Sequence, residues 1–137
     1  MEDEGMMPDL NFLAGGVDPN QLSPLALAYI GDAVFELYIR LRLASQIHTV
    51  QQLHEHAVRY VKAASQSEFL AVLQPHLTEE EERVMRRGRN AKGNVPRNAN
   101  PLDYRRSTGF EALIGYLYLQ GNTARLQQLL ALLEPIE

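Results

Sequence analysis

Apolar residues recur every three or four positions along most of the chain, which is the spacing of a buried stripe on an α-helix. The first stripe follows Ser23 and Pro24, an N-cap and a proline at the first helical position, and it continues to about Leu43. Gly31, in the middle of this helix, lowers helix stability by about 1 kcal/mol relative to alanine. A glycine kept at such a position predicts the close approach of another helix. The apolar members of this stripe are Leu27, Ile30, Val34, Leu37 and Leu41.

Further helical stretches follow the first. Thr49 opens helical character that extends to Pro75, either as one helix or as two that are broken near Ser65. Thr78 begins another helix, with four glutamates in its first turn and arginines in its last, an order that complements the helix dipole. No segment alternates apolar and polar residues over a useful length. The pattern therefore predicts an all-α fold.

The periodicity disappears between Gly88 and Pro101, a stretch of Gly, Asn, Pro, Arg and Lys that predicts a basic loop. A helix is predicted to resume near Ser107 and to end at Gly121-Asn122. One final helix carries the apolar residues Leu126, Leu129, Leu130 and Leu133.

Size and composition indicate a single domain. At 137 residues the chain can bury one core, and we expect an acidic, flexible tail over residues 1–20 and one domain over residues 21–137. The absence of cysteine excludes disulfides and thiolate metal sites. No apolar run approaches the ~18 residues needed to span a bilayer, and no secretory signal follows the acidic start. We expect a soluble, cytoplasmic protein.

The charge distribution changes this picture. The formal net charge is −4, yet residues 83–106 carry eight of the thirteen basic residues against the single acid Asp103. That segment has a charge of +7, and the rest of the chain has −11. A phosphate backbone responds to the local field within about one Debye length, roughly 8 Å at physiological salt, so the segment predicts contact with a polyanion.

Two carboxylates lie within otherwise apolar helical segments. Asp32 belongs to the first stripe, and Glu111 directly follows Phe110. If their helices pack together, the two acids come close with no evident lysine or arginine beside either. A hard divalent cation such as Mg²⁺, which prefers oxygen ligands, would relieve their repulsion. By spacing alone, two solvated acids at helix edges remain the simpler interpretation.

Motifs around both acids resemble ribonuclease III. Residues 30–37 (Ile-Gly-Asp-Ala-Val-Phe-Glu-Leu) resemble the signature helix of that family, and residues 110–119 (Phe-Glu-Ala-Leu-Ile-Gly-Tyr-Leu-Tyr-Leu) resemble its second acidic helix. Residues 86–92 and 104–108 are similar to the Mini-III branch, an isolated catalytic domain without a double-stranded-RNA-binding domain. The resemblance covers the chain from about Leu22 to Leu130.

The resemblance implies a ribonuclease III-like endonuclease domain that forms a helical homodimer. It places Asp32 on the family's catalytic aspartate and Glu111 on its metal-binding glutamate, so both would hold Mg²⁺ and serve in catalysis. It implies cleavage of double-stranded RNA that leaves 5′-phosphate ends and serves the maturation of large-subunit (23S) ribosomal RNA precursors. It leaves open whether a ribosomal protein is a further partner. The residues expected to contact RNA are Arg86, Arg87, Arg89, Asn90, Lys92, Arg97, Arg105 and Arg106.

Two departures from the family pattern keep alternatives open. Positions where the family usually has a glutamate and an aspartate are occupied by Ala28 and Thr108, so half of the acidic cluster is missing. A non-catalytic RNA-binding or ribosome-associated protein on the same fold, or a helical interaction module, would tolerate that loss. Glu36, one turn beyond Asp32, would either orient a ligand or pair with Arg40.

Overall fold

The computed structural model describes residues 16–137, and within them every regular element is a helix. This confirms the all-α prediction. Short 3-10 turns precede the first helix and follow the third. The α-helices are α1 (Pro24–Ala44), α2 (Val50–Val61), α3 (Ala63–Leu73), α4 (Glu79–Arg89), α5 (Pro101–Leu119) and α6 (Thr123–Ala131).

Helix α5 lies at the centre of the fold. From Ser107 to Leu119 it is buried at every position except Glu111 and Tyr118. A helix that is apolar on all sides must be covered on all sides. Helices α1, α3 and α4 provide most of that cover, and α6 and the segment around Pro19 contribute smaller contacts.

Helix boundaries follow the capping residues. The Ser23 hydroxyl accepts a hydrogen bond from the Ala26 amide at 3.1 Å at the start of α1. The start of α4 has a complete capping box, in which Thr78 and Glu81 each accept from the other's backbone amide. The segment after Thr49 forms two helices rather than one, because the backbone is extended at Lys62.

Helix α5 begins at Pro101, about two turns earlier than the prediction near Ser107. Asn100 caps it, since its side-chain oxygen accepts from the Asp103 amide at 3.1 Å, and proline occupies the first helical position. The apolar period starts late because the first turns of α5 are largely polar and exposed. Arg105 and Arg106 therefore lie on a helix and not in the basic loop.

The predicted tail over residues 1–20 lies mostly outside the described residues, and for residues 1–15 it stays a prediction. Pro19, however, begins a short 3-10 turn and is buried, and Val17 packs against the core. The Asp18 side chain accepts a hydrogen bond from the Asn20 amide at 2.9 Å. Val17 and Pro19 thus pack with the folded domain, and the division into residues 1–20 and 21–137 stays a prediction.

Helices α1 and α5 cross at a pair of glycines. A Cβ atom at Gly31 would overlap the carbonyl oxygen of Glu111, and one at Gly115 would overlap the carbonyl oxygen of Leu27. The close helix approach predicted from Gly31 is confirmed. The helix that approaches Gly31 is α5 of the same chain.

Gly31→Ala should separate these two helices and destabilise the protein. Overpacking of a well-packed contact costs about 1–3 kcal/mol, and more where backbone atoms oppose the new methyl group, as they do here. Urea unfolding would measure the change. Gly93→Ala is the matched control, since its Cβ would make only ordinary contacts with Leu25 at 3.8 Å. Equal stability of the two variants would contradict the glycine crossing.

Three phenylalanines join α1, α3 and α5 beneath the crossing. The rings of Phe35 and Phe110 meet edge to face with their centroids 5.0 Å apart, and Phe69 approaches Phe35 at 5.9 Å. Such pairs contribute about 0.5–1.5 kcal/mol each beyond their area burial. The cluster fixes the three helices relative to one another. Each ring lies within three residues of a polar side chain, namely Asp32, Glu111 or Gln66.

Across residues 16–137, no helix combines the length and apolar character needed to cross a membrane.

Candidate active site

Asp32 and Glu111 lie side by side at the α1–α5 crossing. Their carboxyl groups are close enough for the charge of Asp32 to raise the pKa of Glu111. Gly31, which precedes Asp32, rests against the backbone of Glu111, so the glycine contact sets the distance between the two acids. Asp32 is exposed, whereas Glu111 is half-buried. The structure therefore brings together the two residues that the sequence motifs singled out.

The environment of Glu111 disfavours its charged form. Burial, followed by the neighbouring charge of Asp32, raises the pKa of Glu111 from 4.5 to about 8. No lysine, arginine or histidine among residues 16–137 forms an ion pair with either acid. At neutral pH the pair is therefore short of positive charge, which a proton or a cation can supply.

A divalent metal ion fits this arrangement. Two adjacent carboxylates open to solvent on the Asp32 side are a donor set that hard cations such as Mg²⁺ bind while keeping several waters. The part of the chain that the structure describes contains no group of three or more Asp, Glu, His or Cys residues placed to hold a metal. Any ion bound here would rely on two carboxylates and water.

The missing acids of the resembled pattern have structural replacements. Ala28, one turn before Asp32, is buried in the core. Thr108 is also buried, and its hydroxyl donates to the Tyr104 carbonyl at 3.0 Å. Neither position can supply a charged ligand. The prediction of a reduced acidic cluster at Ala28 and Thr108 agrees with this geometry.

Gln66 is a polar neighbour of the pair that sequence reasoning missed. Its side chain is 1 % exposed on α3, and its amide interacts with the Glu111 carboxyl and lowers the pKa of that group against the larger opposing effects. The amide nitrogen nevertheless satisfies hydrogen-bond geometry with no group of the described chain. A signal was present, because Gln66 shares a helical face with the buried Leu70 and Leu73.

Glu36 belongs to a surface ion pair. Its carboxylate accepts from the Arg40 guanidinium at 2.7 Å, one turn along α1. Such exposed pairs contribute about 0.3–0.5 kcal/mol, and this one gives Glu36 a partner other than the acidic pair. Of the two roles open for Glu36 in the sequence, the structure supports the pairing with Arg40.

The basic segment lies next to the acidic pair. The last turn of α4 packs on α5 between Thr108 and Ala112, where a Cβ at Gly88 would lie 2.7 Å from the Ala112 Cβ. The following loop folds over Leu25 of α1 and Tyr104 of α5, about two turns before the two acids, and closes a small cleft there. The basic segment thus packs on the two helices that carry the acidic pair.

The predicted RNA-contact residues are not equivalent in the structure. Arg86 pairs with Glu82 at 3.6 Å, and Arg106 is half-buried and donates to the Ser67 carbonyl at 3.2 Å. Arg89 donates to the Asn90 side chain at 3.3 Å. Counting charge only from residue 83 omitted the glutamates that begin α4. Within the described residues, no ion pair is found for Arg87, Arg89, Lys92, Arg97 or Arg105.

Comparison with known proteins agrees with this geometry. The sequence-family model of the ribonuclease III domain matches residues 25–122 of this chain, which include both acids. A Mini-ribonuclease 3 from Symbiobacterium thermophilum is 52% identical over 115 residues, covering 82% of this chain and 88% of that protein. The chain belongs to the Mini-ribonuclease 3 branch of the ribonuclease III family.

Further relatives of this ribonuclease III-family chain extend the agreement. The Mini-ribonuclease 3 of Clostridium tetani is 47% identical over 118 residues, covering 84% of this chain and 78% of that protein. A protein of Fusobacterium nucleatum solved by X-ray crystallography superposes with a TM-score of 0.77 at 28% identity, covering 85% of this chain and 94% of its own. The chain is therefore an endoribonuclease, of a family that acts on double-stranded RNA and generally requires a divalent metal.

Proposed function

We propose that this ribonuclease III-family chain is a Mg²⁺-dependent endoribonuclease. It cuts double-stranded RNA with Asp32 and Glu111 as its catalytic, metal-binding residues and leaves 5′-phosphate ends. The observation that carries the proposal is the pair of carboxylates without a cationic partner, held at the α1–α5 crossing beside a basic surface. Bound there, Mg²⁺ would supply an activated water and positive charge at the scissile phosphodiester. The preference for Mg²⁺ rests on the all-oxygen donor set.

The two acids would have different roles in binding the cation because they differ in exposure to solvent. Asp32 is exposed, so its carboxylate can hold an ion where an RNA phosphate can reach it. Glu111 is half-buried and retains its proton until a cation replaces it. The Gly31 contact with the Glu111 backbone brings α1 and α5 close enough for the two carboxylates to lie side by side.

One assay tests this function directly. The protein is incubated with a duplex RNA in Mg²⁺ and, in parallel, in excess chelator, and the product ends are mapped. We expect cleavage with 5′-phosphate ends in Mg²⁺ only. Duplex binding without cleavage would favour the alternative of a non-catalytic RNA-binding or ribosome-associated protein, to which the neutral Ala28 and Thr108 first pointed.

The basic residues around α4 and α5 would contact the RNA backbone. A-form RNA is recognised mostly through its shape, its phosphates and its 2′-hydroxyls, so this surface would give affinity more than sequence readout. Exposed cations without an ion pair are the best candidates, and Arg106 is the weakest because one of its nitrogens already donates to Ser67. The full proposed set remains Arg86, Arg87, Arg89, Asn90, Lys92, Arg97, Arg105 and Arg106.

Arg87→Ala should weaken duplex RNA binding and reduce its salt dependence. Each phosphate contact that is lost lowers the slope of log affinity against log salt by about 1 unit. Fluorescence anisotropy in chelator at several salt concentrations would measure the slope without cleavage. Arg59→Ala is the control, because Arg59 is an exposed arginine on α2 outside the basic segment. An equal change in both variants would remove the segment from the interface.

We also propose that the chain forms a homodimer through the exposed face of α1. A groove of about 440 Å³ runs along this face next to Asp32, and its lining includes Tyr29 and Tyr118. Tyr29 is 80% exposed on this face, and Ile30 and Leu37 line the groove beside it, which leaves an apolar strip facing solvent. Two copies that met here would place two acidic pairs near one interface, as cutting both strands of a duplex requires.

Light scattering should therefore give twice the chain mass of 15.5 kDa. Tyr29→Asp should shift the protein toward the monomer by placing a charge in the apolar strip. Val72→Asp, at an exposed apolar position on α3, is the matched control and should leave the mass unchanged. A monomeric wild-type protein at micromolar concentration would contradict the proposed dimer.

The substrate we propose is a duplex in the precursor of large-subunit (23S) ribosomal RNA, processed in the cytoplasm. Similarity to the Mini-ribonuclease 3 proteins supports this choice. A ribosomal protein bound to the precursor could present the duplex to the basic surface. Mapping the ends of 23S ribosomal RNA in cells without this protein tests the proposal, and fully mature ends would contradict it.

A further inference from the structure

We infer that Gln66 is a positioning residue that holds the Glu111 carboxylate in the orientation needed to bind a cation. This inference rests on the proposed function. Gln66 lies on α3, a helix that carries none of the motifs by which the acidic pair was found. Its side chain is 1 % exposed, and its amide lies beside the Glu111 carboxyl and interacts with it.

The amide nitrogen of Gln66 needs an explanation because it is buried without a hydrogen-bond partner among residues 16–137. Nearly all buried donors in folded proteins are satisfied, and an exception points to strain, a missing ligand or a functional role. The Glu111 carboxyl beside it is an acceptor that interacts with the Gln66 side chain. Reorienting that carboxylate to hold a cation would let one of its oxygens accept from this N–H group.

The position of Gln66 is fixed by packing on both sides. Phe69, one turn further along α3, contacts the rings of Phe35, which follows Asp32 by one turn, and Phe110, which precedes Glu111. The carbonyl of Ser67 accepts a hydrogen bond from Arg106 of α5 at 3.2 Å. The backbone of Gln66 therefore cannot move away from Glu111 without disturbing the α3–α5 contact.

A hydrogen bond from this amide would orient the carboxylate. With one oxygen held by Gln66, the other would be free to serve as a cation ligand beside Asp32. Hydrogen bonds to a charged acceptor are among the stronger ones, and groups that orient metal ligands typically change metal affinity or activity by about 10–100-fold. In a site with two carboxylates, each ligand's orientation has a larger effect than in a full cluster.

Gln66→Met tests this role, because methionine keeps the length and apolar stem of glutamine and removes the amide. We expect Mn²⁺ binding to the RNA-free protein, measured by electron paramagnetic resonance, to weaken by about 10-fold or more. The Mg²⁺ concentration for half-maximal duplex cleavage should rise by a similar factor. Thermal stability without metal should be unchanged or higher, since a buried donor without a partner has been removed.

Leu70→Met is the matched control, because Leu70 is a buried residue on the same face of α3. It should lower thermal stability slightly and leave Mn²⁺ binding unchanged. A structural role for Gln66 would give the opposite pattern, with lost stability and normal Mn²⁺ affinity, and that result would overturn the inference. If Gln66→Met does not fold, Gln66→Asn, which withdraws the amide by one methylene, should show the same loss of Mn²⁺ binding.

The proposed function can fail separately. A wild-type protein that binds no Mn²⁺ and leaves duplex RNA intact would refute the catalytic metal site itself. A wild-type protein that binds Mn²⁺ and cleaves RNA, beside a Gln66→Met variant with identical metal dependence, would refute the role of Gln66 alone.

Discussion

Asp32→Asn should abolish duplex RNA cleavage, with a loss of at least about a hundredfold at Mg²⁺ concentrations that saturate the wild type. Groups that only orient a metal ligand already change activity by about 10–100-fold, so replacing one of two carboxylate ligands should cost more. The substitution keeps the size of the side chain, and it removes repulsion from Glu111, so folding should not suffer. Single-turnover cleavage with mapped product ends would measure the loss.

Two further variants separate a ligand role from a general charge effect. Glu111→Gln should lose cleavage to a similar extent, because the remaining carboxylate cannot hold the ion alone. Glu36→Gln removes an acid one turn from Asp32 that pairs with Arg40, and it should retain near-normal activity. If Asp32→Asn cut RNA at the wild-type rate, the site would be misplaced, and equal loss in Glu36→Gln would indicate nonspecific electrostatics.

Metal affinity should rise with pH and level off near pH 8. Glu111 must lose its proton to bind a cation, and its pKa is raised to about 8 by burial and by Asp32. Below that value each pH unit costs about tenfold in apparent affinity, because proton and metal compete for one carboxylate. Mn²⁺ titrations between pH 6 and pH 9 would show the slope. A flat profile over this range would contradict the raised pKa.

The stability of the metal-free protein should have the opposite dependence on pH. Below about pH 4.5 Glu111 is protonated in both the folded and the unfolded states, so it imposes no penalty. Between 4.5 and about 8 the unfolded chain releases this proton while the folded chain retains it, and the free energy of unfolding falls. The loss is on the order of a few kcal/mol, and Glu111→Gln should remove that part of the slope in urea unfolding.

The reduced acidic cluster explains why Asp32→Asn and Glu111→Gln should each cause a large loss of cleavage. In this chain Ala28 is packed in the core and Thr108 is hydrogen-bonded to the backbone, so neither can compensate for a lost ligand. The proposed site depends on two carboxylates, on the glycine crossing that sets their distance and, by our inference, on the Gln66 amide. A site with more acids would tolerate the loss of one better.

The sequence by itself determined the helical fold and the identity of the acidic pair. Helical periodicity and capping residues are local signals, so Ser23 and Thr78 marked helix starts that the structure confirms. The motifs around Asp32 and Glu111 are also contiguous in the chain, and resemblance could recognise them. The late start predicted for α5 was wrong because its first turns are polar, which removes the apolar period although Asn100 and Pro101 form a good cap.

Only the tertiary structure decided how these pieces act together. The raised pKa of Glu111 depends on burial and on its distance from Asp32, and both follow from the crossing of helices that are some 80 residues apart in the chain. Gln66 joins the pair from a third helix, and no local pattern links it to either acid. Which arginines are already engaged, as Arg106 is by the Ser67 carbonyl of α3, likewise depends on long-range contacts that charge counting along the sequence cannot reveal.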